Sequence, residues 1–418
     1  MAEMTYDNFD ISILRAHDGY RVVVRSEGGE PEMPFRLLFA EEDLALFRES
    51  INQPLRDAHR EQLEQSRLKA PNPDIIKNIG EQLFDSLFHG KVGTSLVVSL
   101  DKARSKEKQL RIRLNLRDVP ELATLPWEYL YSRARQQYLA LSRETPIVRY
   151  LPLDESSKPL RVKPPLKVLV MISDPNDYPR LQVEKEWNML CEALAPLRLA
   201  KQVEVDRLPN ATFDALQDQM MTNKHHVFHF VGHGDFDKER SEGVLIWEGL
   251  KGEGQVVRQE YLRVALDSPA LRLVILNSCS GAQTGPRDPF AGVAQSLVQL
   301  SIPAVIAMQC KITDNAAIQF AGRFYRALTA GLPIDAALAA ARTAMFFVGS
   351  PVEWGIPALY MRSPDGFIFE IDHLTEEERR QAKIDALRRT AIASVENKDY
   401  ASAVKHLQEI MQFSQQQR

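Results

Sequence analysis

From residue 166 onward, short uniformly apolar runs alternate with longer stretches whose apolar positions recur every three or four residues. KVLVMIS, VEVDRL, VFHFVG, LRLVILN and IPAVIAMQC are β-branched or aromatic, too short for buried helices, and closed by turn-forming residues. They predict strands, most of them buried on both faces. Between them VEKEWNMLCEAL, TFDALQDQMM, DPFAGVAQSLVQL, DNAAIQFAGRFYRALTAG and PIDAALAAARTAMFFV carry the helical period. In the first of these, Val183, Trp187, Leu190, Cys191 and Leu194 share one stripe, which predicts that Cys191 is a core residue. GVLIWEG reads as an excursion between two strands, and PALY at 357–360 as a last strand. Strand and helix in this alternation predict an α/β fold with a doubly wound, mostly parallel sheet and flanking helices.

The pattern differs on either side of this region. FDISILR and YRVVVRS alternate about the turn AHDG like a hairpin, and PFRLLF is expected to add a strand. EEDLALFRESI and GEQLFDSLF read as helices. SLVVSL and LRIRLNL read as strands flanking DKARSKEK, a solvated charged loop. The aromatic cluster Trp127, Tyr129 and Tyr131 reads as core packing. Together residues 1–158 form an expected N-terminal α/β region, and the proline- and charge-rich stretch 153–166 marks its boundary with a second unit over 159–372. Beyond that, Thr375 to Glu378 is a capping-box pattern opening a charged helix. NKDY then turns the chain into ASAVKHLQEIMQF, so 373–418 is expected to be a helical hairpin. One helical pair is too little for a solenoid, which buries its faces only by stacking about three repeats.

Chemistry concentrates at two strand tips, His233-Gly234 and Ser278-Cys279-Ser280-Gly281. In an open parallel sheet both would emerge at the carboxyl rim, where active sites form. A thiol at neutral pH is only a few per cent thiolate, and a neighbouring imidazole raises the reactive fraction. The backbone amides of Gly234 and Cys279 are candidates for an oxyanion hole. His225, His226, His229 and His233 look dense enough for a metal, but on a strand His229 and His233 lie ~13 Å apart at ~3.3 Å per residue, so they share no ion and His229 reads as a core or sheet-face residue. No cofactor is implied.

Composition narrows the function classes. Fifty-two Lys and Arg against 56 Asp and Glu give a net charge of −4, which offers nucleic acid or an anionic membrane no special attraction. The start lacks a basic and apolar leader, and no apolar run reaches the ~18 residues of a membrane span. Cys191, Cys279 and Cys310 make no disulfide framework, which fits a reducing cytoplasm.

HFVGHGD followed by LVILNSCSG, with 46 residues from His233 to Cys279, resembles the caspase-like peptidases and specifically the CHAT family, bacterial relatives often found beside tetratricopeptide repeats. The segment LPWEYLYSRARQQYLALSRETPIVRYLPL is similar to the region preceding the peptidase domain in those proteins, and KDYASAVKHLQEI to half of a tetratricopeptide unit. The resemblance implies a caspase-like fold and a cysteine endopeptidase with Cys279 as nucleophile and His233 as its proton partner. It implies a specific protein substrate, and a role in bacterial defence or cell death. The caspase motif has Gln-Ala before the nucleophile and Arg-Gly after it. Here Asn277-Ser278 and Ser280-Gly281 stand instead, so cleavage after aspartate does not follow.

Asn277, two before the cysteine, is then a candidate pocket residue, and loops leaving other strand ends offer Asp174, Gln309 and Asp314. Lys311-Ile312-Thr313-Asp314 resembles a motif of separases whose aspartate receives a basic side chain. Thr313 or Asp314 equally serves as a helix cap. Trp354 is a candidate subsite wall or a core residue. The loops DFDKERSEG and GAQTGPRDP flank the site and suggest gating, hence a latent enzyme. A regulatory protein partner is expected at the N-terminal region or the C-terminal helices. The rival reading is a catalytically idle caspase-like binding module, and a third is acyl transfer or esterase chemistry on the same thiol.

Overall fold

The computed structural model describes residues 4–60, 73–153, 157–222, 224–237, 239–240, 242–278, 289–348, 352–372 and, with short interruptions, 384–415. The N-terminal part runs β1 (Tyr6–Ala16), β2 (Gly19–Arg25), β3 (Glu32–Phe35), α1 (Glu41–Arg60), α2 (Pro73–Leu87), α3 (Gly90–Ser105), β4 (Gln109–Asn115), the short pair β5 (Tyr131–Ser132) and β6 (Gln137–Tyr138), and β7 (Ile147–Tyr150). Then follow β8 (Leu160–Val162), β9 (Leu166–Ile172), α4 (Val183–Leu199), β10 (Val203–Arg207), α5 (Phe213–Thr222), β11 (Val227–Asp237), β12 (Glu242–Glu248), β13 (Gly254–Val257), α6 (Gln259–Ala265) and β14 (Leu273–Ser278). The rest is α7 (Pro289–Gln299), β15 (Ala304–Met308), α8 (Asp314–Thr329), α9 (Ile334–Val348), β16 (Pro357–Met361), β17 (Phe369–Ile371) and α10 (Tyr400–Gln415).

One sheet carries strands of both halves in the order β10-β9-β11-β14-β15-β16-β7-β4-β1-β2-β3. From β10 to β15 every neighbour is parallel, and β16 then turns antiparallel against β15. β7, from the N-terminal part, joins β16 in parallel, so hydrogen bonding runs without a break into β4 and β1. Alternation along the strands sets two layers. Val227 and Val231 of β11 enter the core shared with Leu194 of α4 and Phe320 of α8, while Phe228 and Phe230 enter the one shared with Leu216, Leu262 and Val293 of α5, α6 and α7. The winding order β10-β9-β11-β14 reverses between β9 and β11, which is the switch point where such sheets hold their sites.

Two buried arginines, each in an ion pair, tie the N-terminal strands to the rest, Arg111 through Asp335 and Arg149 through Tyr360 and Gln309. Arg111 of β4 donates Nε to Asp335 Oδ2 at 2.5 Å and Nη2 to Asp365 O at 2.7 Å. Arg149 of β7 meets Glu128 at 3.0 and 2.8 Å, and both residues are buried. Charges taken out of water need this degree of saturation to be tolerated. The aromatic cluster is core as expected, with Trp127 and Tyr129 essentially inaccessible.

Several expectations need correction. SLVVSL is not a strand but the middle of α3, whose buried positions Val92, Ser95, Leu96, Ser99, Leu100 and Ala103 follow the helical period. Val97, the residue that made the run look strand-like, is 58% exposed. Ser95 and Ser99 break the apolar stripe because they face a backbone. Gly28 donates its amide to Ser99 Oγ at 3.0 Å, and a Cβ on Gly28 would stand 2.3 Å from Ser95 O. DKARSKEK accordingly begins as the last turn of α3 rather than as a loop. β3 covers only the start of PFRLLF. Cys191 is half-buried, not core, because α4 presents that edge of its stripe partly to solvent. GVLIWEG is β12, which folds back antiparallel on the extension of β11. At the carboxyl end α10 matches the second helix of the expected hairpin, and Thr375 to Glu378 lie outside the described residues.

Candidate active site

β11 is longer than its neighbours, and its register locates the site. Val231 pairs with Ile172 of β9 and Asn277 of β14, and Gly232 pairs with Ser278, the last described residue of β14. His233 is thus the first residue of β11 past both parallel neighbours. It continues antiparallel with β12, His233 opposite Ile246 and Gly234 opposite Leu245. Cys279, the residue after Ser278, lies outside the described residues.

The imidazole of His233 is fully buried, and its ring lies 5.3 Å from that of Tyr178 at a tilt of 36°. Nε2 is 2.9 Å from the carbonyl oxygen of Pro179. A carbonyl only accepts, so the proton sits on Nε2 and the lone pair on Nδ1. Nδ1 has no hydrogen-bond partner among the described residues. Burial pushes the pKa of His233 below 6.5, against the opposing pull of the Pro179 carbonyl and the Asp174 carboxylate. At neutral pH the group is a neutral imidazole with one fixed tautomer and an acceptor nitrogen unpartnered among the described residues.

The loop that supplies Pro179 leaves β9 and is tied down along its length. Ser173 donates its amide to Val231 O at 2.9 Å and its hydroxyl to Ile246 O at 2.9 Å. Asp174 Oδ1 accepts from Leu181 N at 2.8 Å, and Oδ2 pairs with Arg180 at 3.0 Å. Asn176 N reaches Gly252 O at 2.8 Å, and Gly254 N reaches Asp177 Oδ1 at 2.6 Å. The strap from 173 to 181 and the β12–β13 hairpin therefore hold each other over His233.

The other residues singled out from the sequence fall into two groups. Asn277 and Asp174 stand at the rim beside His233, though the Asp174 carboxylate is engaged in shaping the strap. Asn277 lines a cavity together with His229, Val231 and Ile172. Asp314 opens α8 half-exposed and pairs with Lys185 at 2.5 Å. The cap of that helix is Thr313, whose Oγ1 accepts from Ala316 N at 3.4 Å and itself donates to Glu353 at 3.0 Å. Gln309 and Trp354 belong to packing. Gln309 donates to Glu128 at 3.1 Å and accepts from Arg149 at 3.1 Å. Trp354 is fully buried, 4.8 Å from the ring of Tyr129 and 4.7 Å from that of Tyr138. Sequence reasoning missed Pro179 and Tyr178. The one available signal was the turn after Ser173, since a backbone carbonyl leaves no mark on residue identity.

Comparison with known proteins can be set beside this geometry. A family model described as the CHAT domain matches residues 77–361, well over half of the chain. Among solved structures, the Saccharomyces cerevisiae separase–securin complex is similar with a TM-score of 0.50 at 12% identity, over 85% of this chain and 30% of that one. The chain thus spans less than a third of that relative. The Drosophila initiator caspase Dronc is similar over 54% of this chain and 96% of its own, with a TM-score of 0.31 and 12% identity. No curated protein matches. The similarities agree with a caspase-like α/β fold.

Proposed function

The chain belongs to the CHAT domain family and has a cysteine-protease-like fold, and from that premise we propose that it is a cysteine endopeptidase working through Cys279 and His233. The observation that carries the reading is the state of His233. Its Nε2–H is spent on the Pro179 carbonyl and its Nδ1 has no partner among the described residues, at the carboxyl rim beside the switch point. A buried acceptor nitrogen costs free energy unless something occupies it. Gly232 and Ser278 are paired across strands ~4.8 Å apart, and His233 and Cys279 are the residues that follow each of them in the sequence.

In the reaction, Nδ1 of His233 takes the thiol proton as sulfur adds to the scissile carbonyl. The amides of Gly234 and Cys279 donate to the oxyanion. The C–N bond breaks as the imidazolium returns its proton to the leaving amine. Water, deprotonated by the same Nδ1, then hydrolyses the thioester and regenerates the thiol. The Pro179 carbonyl acts as an orienting group: it holds the ring in one tautomer and stabilises the imidazolium that forms. No cofactor enters.

The substrate in this reading is a specific cytoplasmic protein, and family resemblance points to defence or cell-death signalling. The burial of His233 under Tyr178 supports a latent state, since a substrate reaches the imidazole only after the strap shifts. The separase match comes from a complex with securin, which supports a search for a regulatory protein partner of this chain. The test is N-terminal labelling of a host-cell lysate incubated with the wild-type chain, Cys279→Ala and His233→Ala. New protein N-termini that arise only with the wild type support the peptidase. The same termini with all three, or none with any, leave the fold to an idle binding module.

A further inference from the structure

β13 is paired on one side only. Glu248 of β12 stands opposite Gly254, Trp247 opposite Gln255 and Ile246 opposite Val256, and the other side of β13 is an edge. Two contacts fix which backbone groups face that edge. Glu248 N donates away from β13 to Ala211 O at 2.9 Å, and Gly254 N donates away from β12 to Asp177 Oδ1 at 2.6 Å. Opposed residues in an antiparallel ladder alternate between bonded and non-bonded pairs, so Val256, two residues on from Gly254, also turns its N–H and C=O outward. Neither group has a partner among the described residues. Gly254, Gln255, Val256 and Val257 include none of the charged residues or prolines that commonly blunt an edge.

The edge borders a groove between α5, α6 and the β12–β13 hairpin, on the face of the sheet away from α4 and α8. Its volume of about 520 Å³ falls within the roughly 300–1,000 Å³ of ligand clefts. Leu250, Val256 and Tyr261 line it and are 92, 43 and 53% exposed. Two carboxylates line it as well. Asp214 is exposed in the first turn of α5 and has no ion pair among the described residues. Glu248 accepts from the backbone amides of Asp174 and Ala211 at 2.9 and 3.4 Å, so no cation neutralises it there either. Arg258, the one cation of the lining, is held by Asp237 at 3.1 Å and Glu242 at 3.7 Å. The groove is therefore apolar with unspent negative charge, and its complement is a basic side chain set among apolar ones.

The same hairpin holds the cover over His233. A Cβ on Gly254 would stand 2.4 Å from the ring of Tyr178, and that ring lies 5.3 Å from the imidazole. We propose that the edge of β13 and its groove dock an extended segment of a regulatory protein, with a basic residue between apolar ones, and that docking uncovers His233. Main-chain bonds to the edge supply affinity, and the groove selects the side chains. An added strand pairs with the outward groups of both Gly254 and Val256, so it takes the Gly254 amide from Asp177 and lets Tyr178 move off the imidazole. The bond from Leu181 N to Asp174 Oδ1 is untouched, so the Pro179 carbonyl keeps its place. This docking deepens the peptidase reading, on whose latent state it rests, by naming the chemistry of the partner that ends it.

The test uses the full chain and three synthetic probes: valine alternating with threonine around a central arginine, the same peptide with a central glutamate, and the arginine peptide with N-methylated valines. With the arginine peptide, site-resolved hydrogen exchange is expected to slow over 254–257 and to quicken over 176–178. The glutamate peptide should bind about fivefold more weakly, the size of an exposed ion pair, and the N-methylated peptide should leave exchange unchanged. Val256→Pro removes an outward N–H that the ladder does not use and should abolish both changes, while Asp214→Lys should reverse the order of the arginine and glutamate peptides. The proposal is overturned by no response to the arginine peptide, by equal binding of the two charged peptides, or by slowing that survives N-methylation or Val256→Pro. Slowing over 254–257 without quickening over 176–178 overturns it too. So does a chain that sediments as a dimer with 254–257 already protected, which makes the occupant a second copy. Peptidyl acyloxymethyl ketones bearing leucine, arginine, lysine or aspartate read the chemistry apart from docking. Labelling of Cys279 that rises with the arginine peptide and is absent in His233→Ala supports the peptidase, and no rise beside intact exchange effects counts against the peptidase reading alone.

Discussion

Replacing Asp174 by alanine loosens the strap while leaving both dyad side chains in place. Its Oδ1 accepts from Leu181 N at 2.8 Å, and a hydrogen bond to a charged group of this kind stabilises by about 1.5–3 kcal/mol. The pair with Arg180 adds less than about 1 kcal/mol, because the guanidinium is 67% exposed. The alanine variant therefore loosens the segment that presents the Pro179 carbonyl. His233 then loses a bond of about 1 kcal/mol and with it the preference for one tautomer, which converts to about a fivefold slower reaction at Cys279. The assay is alkylation by iodoacetamide at pH 7 with site-resolved mass spectrometry, using Cys191 and Cys310 as internal references. The reference thiols should be unchanged. An unaltered rate at Cys279, or an equal fall at all three cysteines, would refute the role given to the strap.

Three further outcomes test the fold and its electrostatics. Burial holds the folded pKa of His229 at about 4, below its unfolded 6.5, so the unfolded chain binds the extra proton between those values; stability is complete above 6.5 and falls as pH drops towards 4. Urea unfolding should show His229→Gln reducing the loss between pH 7 and pH 5 by about 2 kcal/mol. Arg111→Met leaves Asp335 charged and buried and should cost about 3–5 kcal/mol, while the double variant Arg111→Met/Asp335→Leu should recover most of it in the same assay. In α3, Leu96→Ala should cost about 2–5 kcal/mol and Val97→Lys within about 0.5 kcal/mol; the reverse order would restore the strand.

The parallel sheet was legible because buried strands write themselves as compact β-branched runs, and β9, β11, β14 and β15 do so without competition. His233 was legible for a related reason: an apolar strand that ends in His-Gly has placed a titratable group at a rim. α3 was not, since its buried stripe includes serines that serve the backbone of Gly28 and its most β-branched residues face water. Gln309 and Trp354 looked available because both follow loop-like sequence. Their partners, Glu128, Arg149, Tyr129 and Tyr138, lie far away in the chain, and a single sequence does not reveal such contacts. The Pro179 carbonyl was invisible in principle, because any residue except one with altered backbone geometry offers the same acceptor.

The central claim is that His233, held by Pro179 with Nδ1 unpartnered among the described residues, activates Cys279. The most direct measurement is the second-order rate of iodoacetamide alkylation at Cys279 from pH 5 to 9, in the wild type and in His233→Ala. The account predicts that alkylation in the wild type follows deprotonation of His233 and so rises below the ordinary thiol range near 8.5, with the His233→Ala profile returning to that range. Superimposable profiles in the two proteins would contradict it.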